Sequence, residues 1–148
     1  MALELTPEEK QMTELVRQRM KDSMASNFFG FEVESAQKGR VVFVLDVDAE
    51  HKQHQGVVHG GILAAMVDTT AAIACYTVIA PGTEIATLEL NINYLEPVPG
   101  GKIKADAKVL RTSRNFLVAE CEILNENGTL AAKALLTFSA AAGHTLQK

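Results

Sequence analysis

From Lys102 to Ala140 apolar and polar residues alternate along the chain. Ile103, Ala105, Ala107 and Val109 fall on one side, with Lys102, Lys104, Asp106 and Lys108 on the other. Past Thr112-Ser113-Arg114-Asn115 the alternation resumes, with Leu117, Ala119, Cys121 and Ile123 opposing Glu120 and Glu122. Asn127-Gly128 comes next, a pair that suits a tight hairpin. Leu130, Ala132, Ala134, Leu136 and Phe138 then keep phase in a last strand. A period of two with one apolar side marks strands that bury one face. Connections this short make the sheet antiparallel. Upstream, Ile85 to Leu95 reads as a long strand. Arg40 to Asp48 reads as another, with Phe43, Leu45 and Val47 on one face. Phe31 to Gln37 is a short strand before a Lys38-Gly39 turn.

Two stretches follow the helical period instead. Thr6-Pro7-Glu8-Glu9 carries a capping box with proline at the first helical position. Met12, Leu15, Val16 and Met20 then recur on one face, so an amphipathic helix occupies the region 1–27 and ends near Ser23 to Asn27. Phe28-Phe29-Gly30-Phe31 is an apolar turn into the first strand. The second stretch, 59–80, is apolar nearly throughout and is stopped by Pro81-Gly82-Thr83. It is the one element greasy enough to cover the apolar face of the sheet. The expected fold is therefore α+β, an antiparallel sheet wrapped around a long central helix, with an additional N-terminal helix.

Length and composition narrow the picture. A chain of 148 residues is expected to form a single domain, 1–148. The net charge of −4 argues against a nucleic-acid partner, which calls for a basic patch. Ile62 to Ala80 has the length of a membrane span, but it contains Asp68 and has no Lys/Arg anchors, so a buried central helix is expected and no membrane partner. No basic and apolar leader opens the chain, which makes the cytoplasm the expected compartment. Cys75 and Cys121 lack metal or redox spacing and read as buried thiols.

The chemistry concentrates in Gln53 to Ala80. His59-Gly60-Gly61 sits where loop becomes helix. The first amides of a helix have no internal partners, and the dipole makes that end positive. Glycine lets a ligand approach this bare backbone, so the site suits an oxyanion; equally, Gly-Gly allows tight packing at a helix start. Asp68 lies eight residues on, about 12 Å along the axis. No cation stands at helical spacing from it. It either serves as a base or nucleophile, or it faces solvent or bonds Thr69 or Thr70.

The unit Gln53-x-x-Gly56-Val57-Val58-His59-Gly60-Gly61, with Asp68 seven residues beyond, resembles that of the PaaI-like hotdog-fold acyl-CoA thioesterases. Thr87-Leu88-Glu89-Leu90-Asn91-Ile92-Asn93-Tyr94-Leu95-x-Pro97 is similar to the strand that follows their central helix. The order of elements agrees from about Phe28 onward. The resemblance implies a hydrolase that cleaves an acyl-CoA, with a small, medium or aromatic acyl group, to free acid and CoA. Asp68 matches the catalytic acid, as general base or nucleophile. Gly60 matches the residue whose N–H holds the thioester oxygen. Gln53 falls where the family has Asn or Gln near the substrate, and Thr87 where Ser or Thr orients water. His59, Gly61 and Asn91 fall beside these positions and are candidate substrate-binding residues. The resemblance further implies homodimers with active sites at the interface, commonly paired into tetramers, and no cofactor beyond the CoA of the substrate. The separation of Gly60 from Asp68 points the same way, because about 12 Å is too far for one thioester carbonyl to span. Two antiparallel helices across a two-fold axis would bring Asp68 of one chain to Gly60 of the other.

Other candidates are weaker. His51, His54 and His59 lack the acid or cysteine that would complete a metal set, so no metal is expected; a loop histidine reads as solvated, and His59 as a support for the loop before the helix. Arg111 and Arg114 flank a hairpin and could meet CoA phosphates, as could Lys102, Lys104 and Lys108. No G-x-S-x-G, G-x-G-x-x-G or P-loop occurs. The rival readings are a hotdog hydratase or dehydratase and a non-catalytic acyl-CoA binding protein. Phe28, Phe29, Phe31, Met66 and Tyr94 are the candidate pocket wall.

Overall fold

The computed structural model describes residues 4–142. The first helix, α1 (Pro7–Met20), begins with the expected capping box: Thr6 Oγ1 accepts the Glu9 amide, and the Glu9 carboxylate accepts the Thr6 amide at 2.8 Å. Such a cap contributes about 1 kcal/mol. The helix ends before Ser23, the nearer limit expected. Ser23 instead caps a separate short helix, α2 (Met24–Phe29), which Gly30 terminates in the left-handed region at φ 80°. The single helix expected over 1–27 is thus two helices.

Six strands follow the expected order around one central helix: β1 (Glu32–Gln37), β2 (Arg40–Val47), α3 (Gly60–Tyr76), β3 (Thr83–Tyr94), β4 (Gly101–Thr112), β5 (Phe116–Leu124) and β6 (Leu130–Ala142). They form one antiparallel sheet in the order β1-β2-β4-β5-β6-β3. The inward side of the alternation is buried, from Ile103 and Ala105 across Leu117 and Ala119 to Leu136 and Phe138. The many alanines on this face leave room for α3, which lays Leu63, Met66, Val67, Ala71 and Ala74 against it. Phe43 and Phe138 are fully buried, and each stabilises the core by about 2–3 kcal/mol.

The central helix stops at Tyr76 rather than Ala80. Thr77 turns the chain: its hydroxyl donates to the Ala74 carbonyl at 2.6 Å and accepts the Gly39 amide at 2.7 Å. Val78 and Ile79 still pack on the core, so the apolar pattern outlasts the helix. No helix among the described residues is long and apolar enough to cross a membrane.

The two sheet edges differ. The outer edge of β1 is covered by α1: Arg17 donates to the Val33 carbonyl at 3.1 Å, and the Thr13 hydroxyl accepts the Ala36 amide at 2.8 Å. The outer edge of β3, a twelve-residue strand, makes no backbone hydrogen bonds among the described residues beyond the Thr83 amide, which donates to Ala80. An open edge of that length is a template for another strand. A bulge at Leu88 interrupts it, between Thr87 and Glu89. Past the bulge, Leu90, Ile92 and Tyr94 face α3, while Glu89, Asn91 and Asn93 alternate to the outer face.

Candidate active site

The loop before α3 is tied down more firmly than a polar loop needs to be. A 3-10 turn, Ala49–His51, leads into it. His51 is buried rather than solvated, as the sequence had suggested. Its Nδ1 accepts the Asp48 amide at 3.0 Å, so its Nε2 carries the proton that the Phe29 carbonyl accepts at 2.9 Å. Both ring nitrogens serve the fold. Gln53 closes a small turn, donating its amide to Val57 and accepting that of Gly56, whose φ of 81° glycine tolerates. The Val58 amide then donates to Val98, and the His59 amide to His51. These bonds fix the direction in which the helix starts.

His59 is the N-cap of α3. Its Nδ1 accepts the Gly61 amide at 2.9 Å. On the other side of the same peptide unit, the Tyr94 hydroxyl donates to the Gly60 carbonyl at 2.8 Å. The Gly60–Gly61 peptide is therefore held at both ends. The Gly60 amide itself has no acceptor among the described residues. A Cβ on Gly60 would stand 3.2 Å from the Tyr94 ring, so any larger residue makes the ring give by a few tenths of an ångström. Gln53, Gly60, Leu63, Tyr94 and Pro97 share a cavity of about 370 Å³. An unpartnered amide at the positive end of a 17-residue helix, on a residue that lines a cavity, is a donor ready for a developing negative charge.

Asp68 belongs to a second cluster. The helix between Gly60 and Asp68 is continuous, so the separation of about 12 Å stands. Asp68 is half-buried, and its Oδ1 accepts the Thr87 hydroxyl of β3 at 2.8 Å. It neither stands alone nor bonds its neighbours. Thr70, one of the two alternatives, gives its hydroxyl to the Met66 carbonyl. Thr87 holds the carboxylate in one orientation, and Oδ2 is without a partner among the described residues. The carboxylate is thus presented with one oxygen available to take a proton.

The remaining candidates fall outside these clusters. Asn91 lies on the outer face opposite Leu135, away from both Gly60 and Asp68. His59 and Gly61 flank Gly60 at the helix start, where His59 Nδ1 is committed to the Gly61 amide. Lys102 and Lys104 pair with Asp46 and Glu34, whereas Arg111, Arg114 and Lys108 have no acidic partner among the described residues. Thr112, beside Arg111, shares a register row with Leu117, Phe138 and Thr87, three strands apart and so about 14 Å from it. Of the candidate wall, Met66 and Phe31 are core residues and Phe28 projects into solvent; only Tyr94 lines the cavity at Gly60. Its hydrogen bond to the Gly60 carbonyl is the contact at the helix start that sequence reasoning missed. The signal was its phase with Leu90 and Ile92.

The model of the thioesterase superfamily matches residues 55–132. A Saccharolobus solfataricus protein that carries an esterase name is 36% identical over 108 residues, covering 73% of this chain and 76% of its own. The 1,4-dihydroxy-2-naphthoyl-CoA hydrolase of Listeria monocytogenes is 30% identical over 68% of this chain and 82% of its own. Human acyl-coenzyme A thioesterase 13 is 32% identical over 62% of this chain and 66% of its own. Among solved structures, a Haemophilus influenzae thioesterase superposes with a TM-score of 0.84 at 26% identity, covering 92% of this chain and 94% of its own. The Escherichia coli PaaI protein superposes with a TM-score of 0.81 at 22% identity, covering 90% and 96%, which shows the shared hotdog fold.

Proposed function

The chain belongs to the thioesterase superfamily, and from that premise we propose that it hydrolyses an acyl-CoA to the free acid and CoA. The observation that carries this reading is the pair of half-sites on one helix: an unpartnered Gly60 amide in a cavity, and an Asp68 carboxylate oriented by Thr87.

The proposed site is shared between two copies of the chain. Support comes from the distance along α3, which keeps the two half-sites from meeting within one chain, and from the open edge of β3, which carries Thr87 and Tyr94. Pairing of two β3 edges across a two-fold axis sets the α3 helices antiparallel, so that each Asp68 faces the other copy's Gly60.

In the proposed reaction Asp68 Oδ2 takes a proton from a water molecule as the water oxygen bonds the thioester carbon. The carbonyl oxygen gains negative charge and is held by the facing Gly60 amide, a contribution of about 3 kcal/mol to the transition state. The tetrahedral centre collapses, the C–S bond breaks, and the proton passes from Asp68 to the leaving thiolate. Gln53 contacts the carbonyl or the water. Arg111 and Arg114 are free to meet phosphates of the CoA. An acid, an amide and water complete this chemistry, so no metal or organic cofactor is invoked.

The test is thiol release from a panel of acyl-CoAs. The account expects turnover by the wild type and a loss of about a thousandfold in kcat for Asp68→Asn. Binding without turnover on every substrate, or water addition to an enoyl-CoA, would refute it.

A further inference from the structure

The sheet supplies a hydroxyl to each half-site. Thr87 and Tyr94 stand on the same strand, one donating to the Asp68 carboxylate and the other to the Gly60 carbonyl, both at 2.8 Å. They are seven residues apart, so a regular strand would turn them to opposite faces. The bulge at Leu88 adds one residue between them and brings both hydroxyls onto α3. Burial does not force the second contact. Tyr94 is 51% exposed, and water could satisfy its hydroxyl.

The two sides of this contact differ in stiffness. Tyr94 ends β3 opposite Ala132, and the Leu95 and Glu96 amides that follow both donate to the Ala131 carbonyl, at 2.8 and 3.2 Å. The strand end is therefore fixed by β6. The helix start is softer. Gly60 and Gly61 are consecutive, and each glycine favours a helix less than alanine does by about 0.5–1 kcal/mol. The peptide that carries the Gly60 amide has its other end bound into the helix, because the His59 carbonyl accepts the Ile62 amide at 2.9 Å. Its direction relative to the sheet then turns on the two Gly60 dihedrals. Two side chains restrain the next peptide, Tyr94 at its oxygen and His59 at its nitrogen. A donor on the carbonyl strengthens the N–H of the same peptide, so the two bonds reinforce each other. Of the two residues Tyr94 alone belongs to the sheet, so its bond sets the helix start against β3.

We infer, resting on the thioesterase reading above, that Tyr94 is a positioning residue for the reaction. Its hydroxyl holds the Gly60–Gly61 peptide so that the Gly60 amide points at the thioester oxygen. The hydroxyl itself touches no reacting atom. Its effect falls on kcat, because a donor aimed at a developing oxyanion acts on the transition state more than on the bound ester.

Tyr94→Phe removes the hydroxyl and keeps the ring. The experiment measures kcat and KM by thiol release from the acyl-CoA that the wild type cleaves fastest, with kcat taken per folded chain from the amplitude of thermal unfolding. Amide hydrogen exchange at Gly61 is followed by NMR in the same proteins. The expected result is a fall of about tenfold in kcat, a KM within about twofold of wild type, and faster exchange at Gly61. A kcat within about twofold of wild type would overturn the inference. A rise in KM at constant kcat would also overturn it, because the hydroxyl would then be a ground-state contact. So would a lower kcat with unchanged exchange at Gly61, since the hydroxyl would then act by another route. Activity lost only in proportion to the folded fraction would reduce Tyr94 to a structural role and overturn it too. If the wild type hydrolyses no thioester, the underlying activity fails instead, an outcome separate from these.

Discussion

Gly60→Ala separates the chemistry of the helix start from its stability. The new Cβ would meet Tyr94 Cζ at 3.2 Å and both Cε1 and the hydroxyl oxygen at 3.4 Å, so the ring must retreat by a few tenths of an ångström. That retreat weakens the 2.8 Å bond from the Tyr94 hydroxyl to the Gly60 carbonyl, a loss of up to about 1 kcal/mol. Against it, alanine lowers the entropy cost of helix formation by about 0.5–1 kcal/mol. The two effects nearly offset, so urea unfolding is expected to shift by less than about 1 kcal/mol. Activity is not protected by this balance. The methyl group stands in the cavity shared with Gln53 and displaces the thioester oxygen from the Gly60 amide. A fall in kcat/KM of tenfold to a hundredfold is expected, equivalent to about 1.4–2.7 kcal/mol. The assay is thiol release beside urea denaturation of the same preparation. A variant with unchanged stability and kcat/KM within about twofold of wild type would refute the role given to this amide.

Removing the Thr87 hydroxyl as Thr87→Val frees the Asp68 carboxylate, and kcat should fall about tenfold with KM little changed, while Thr87→Ser restores most of it; equal kcat in Thr87→Val and wild type would contradict the orienting role. The thiols give a pH signature. Burial pushes Cys75 up to about 12 and also raises Cys121, so both folded-state values lie above the ordinary 9.0. A raised folded value contributes stability below the unfolded pKa that is lost as pH climbs, here from pH 9.0 toward 12. Thermal unfolding should lose up to about 1.4 kcal/mol per pH unit per thiol above that point, and Cys75→Ala should halve the slope. A slope indifferent to Cys75→Ala would show that another group titrates.

Much of the fold was legible because its signals are local. The capping box at Thr6 and the alternation in β4, β5 and β6 each depend on neighbours a few residues away, and each formed as read. What failed was set by distant partners or by packing that outlives an element. The helix end at Tyr76 was obscured because Val78 and Ile79 stay apolar for core contact after Thr77 has turned the chain. The break before Ser23 carried no Gly or Pro. His51 looked solvated because its partner, the Phe29 carbonyl, lies 22 residues away. Asp68 looked unpartnered for the same reason: Thr87 stands 19 residues on, in another element. The residue types of the candidate site were visible in the chain, but their division into two clusters required the straight course of α3.

The composite site is tested most directly by mixing subunits. Asp68→Asn and Gly60→Trp chains, each inactive alone, are unfolded together in equal amounts, refolded, and assayed for thiol release. A heterodimer of this kind keeps one intact site, built from Asp68 of one chain and Gly60 of the other, so random assortment should recover about a quarter of wild-type activity. Recovery near that level supports a site shared across the interface. No recovery, with heterodimers present by mass spectrometry, would contradict it.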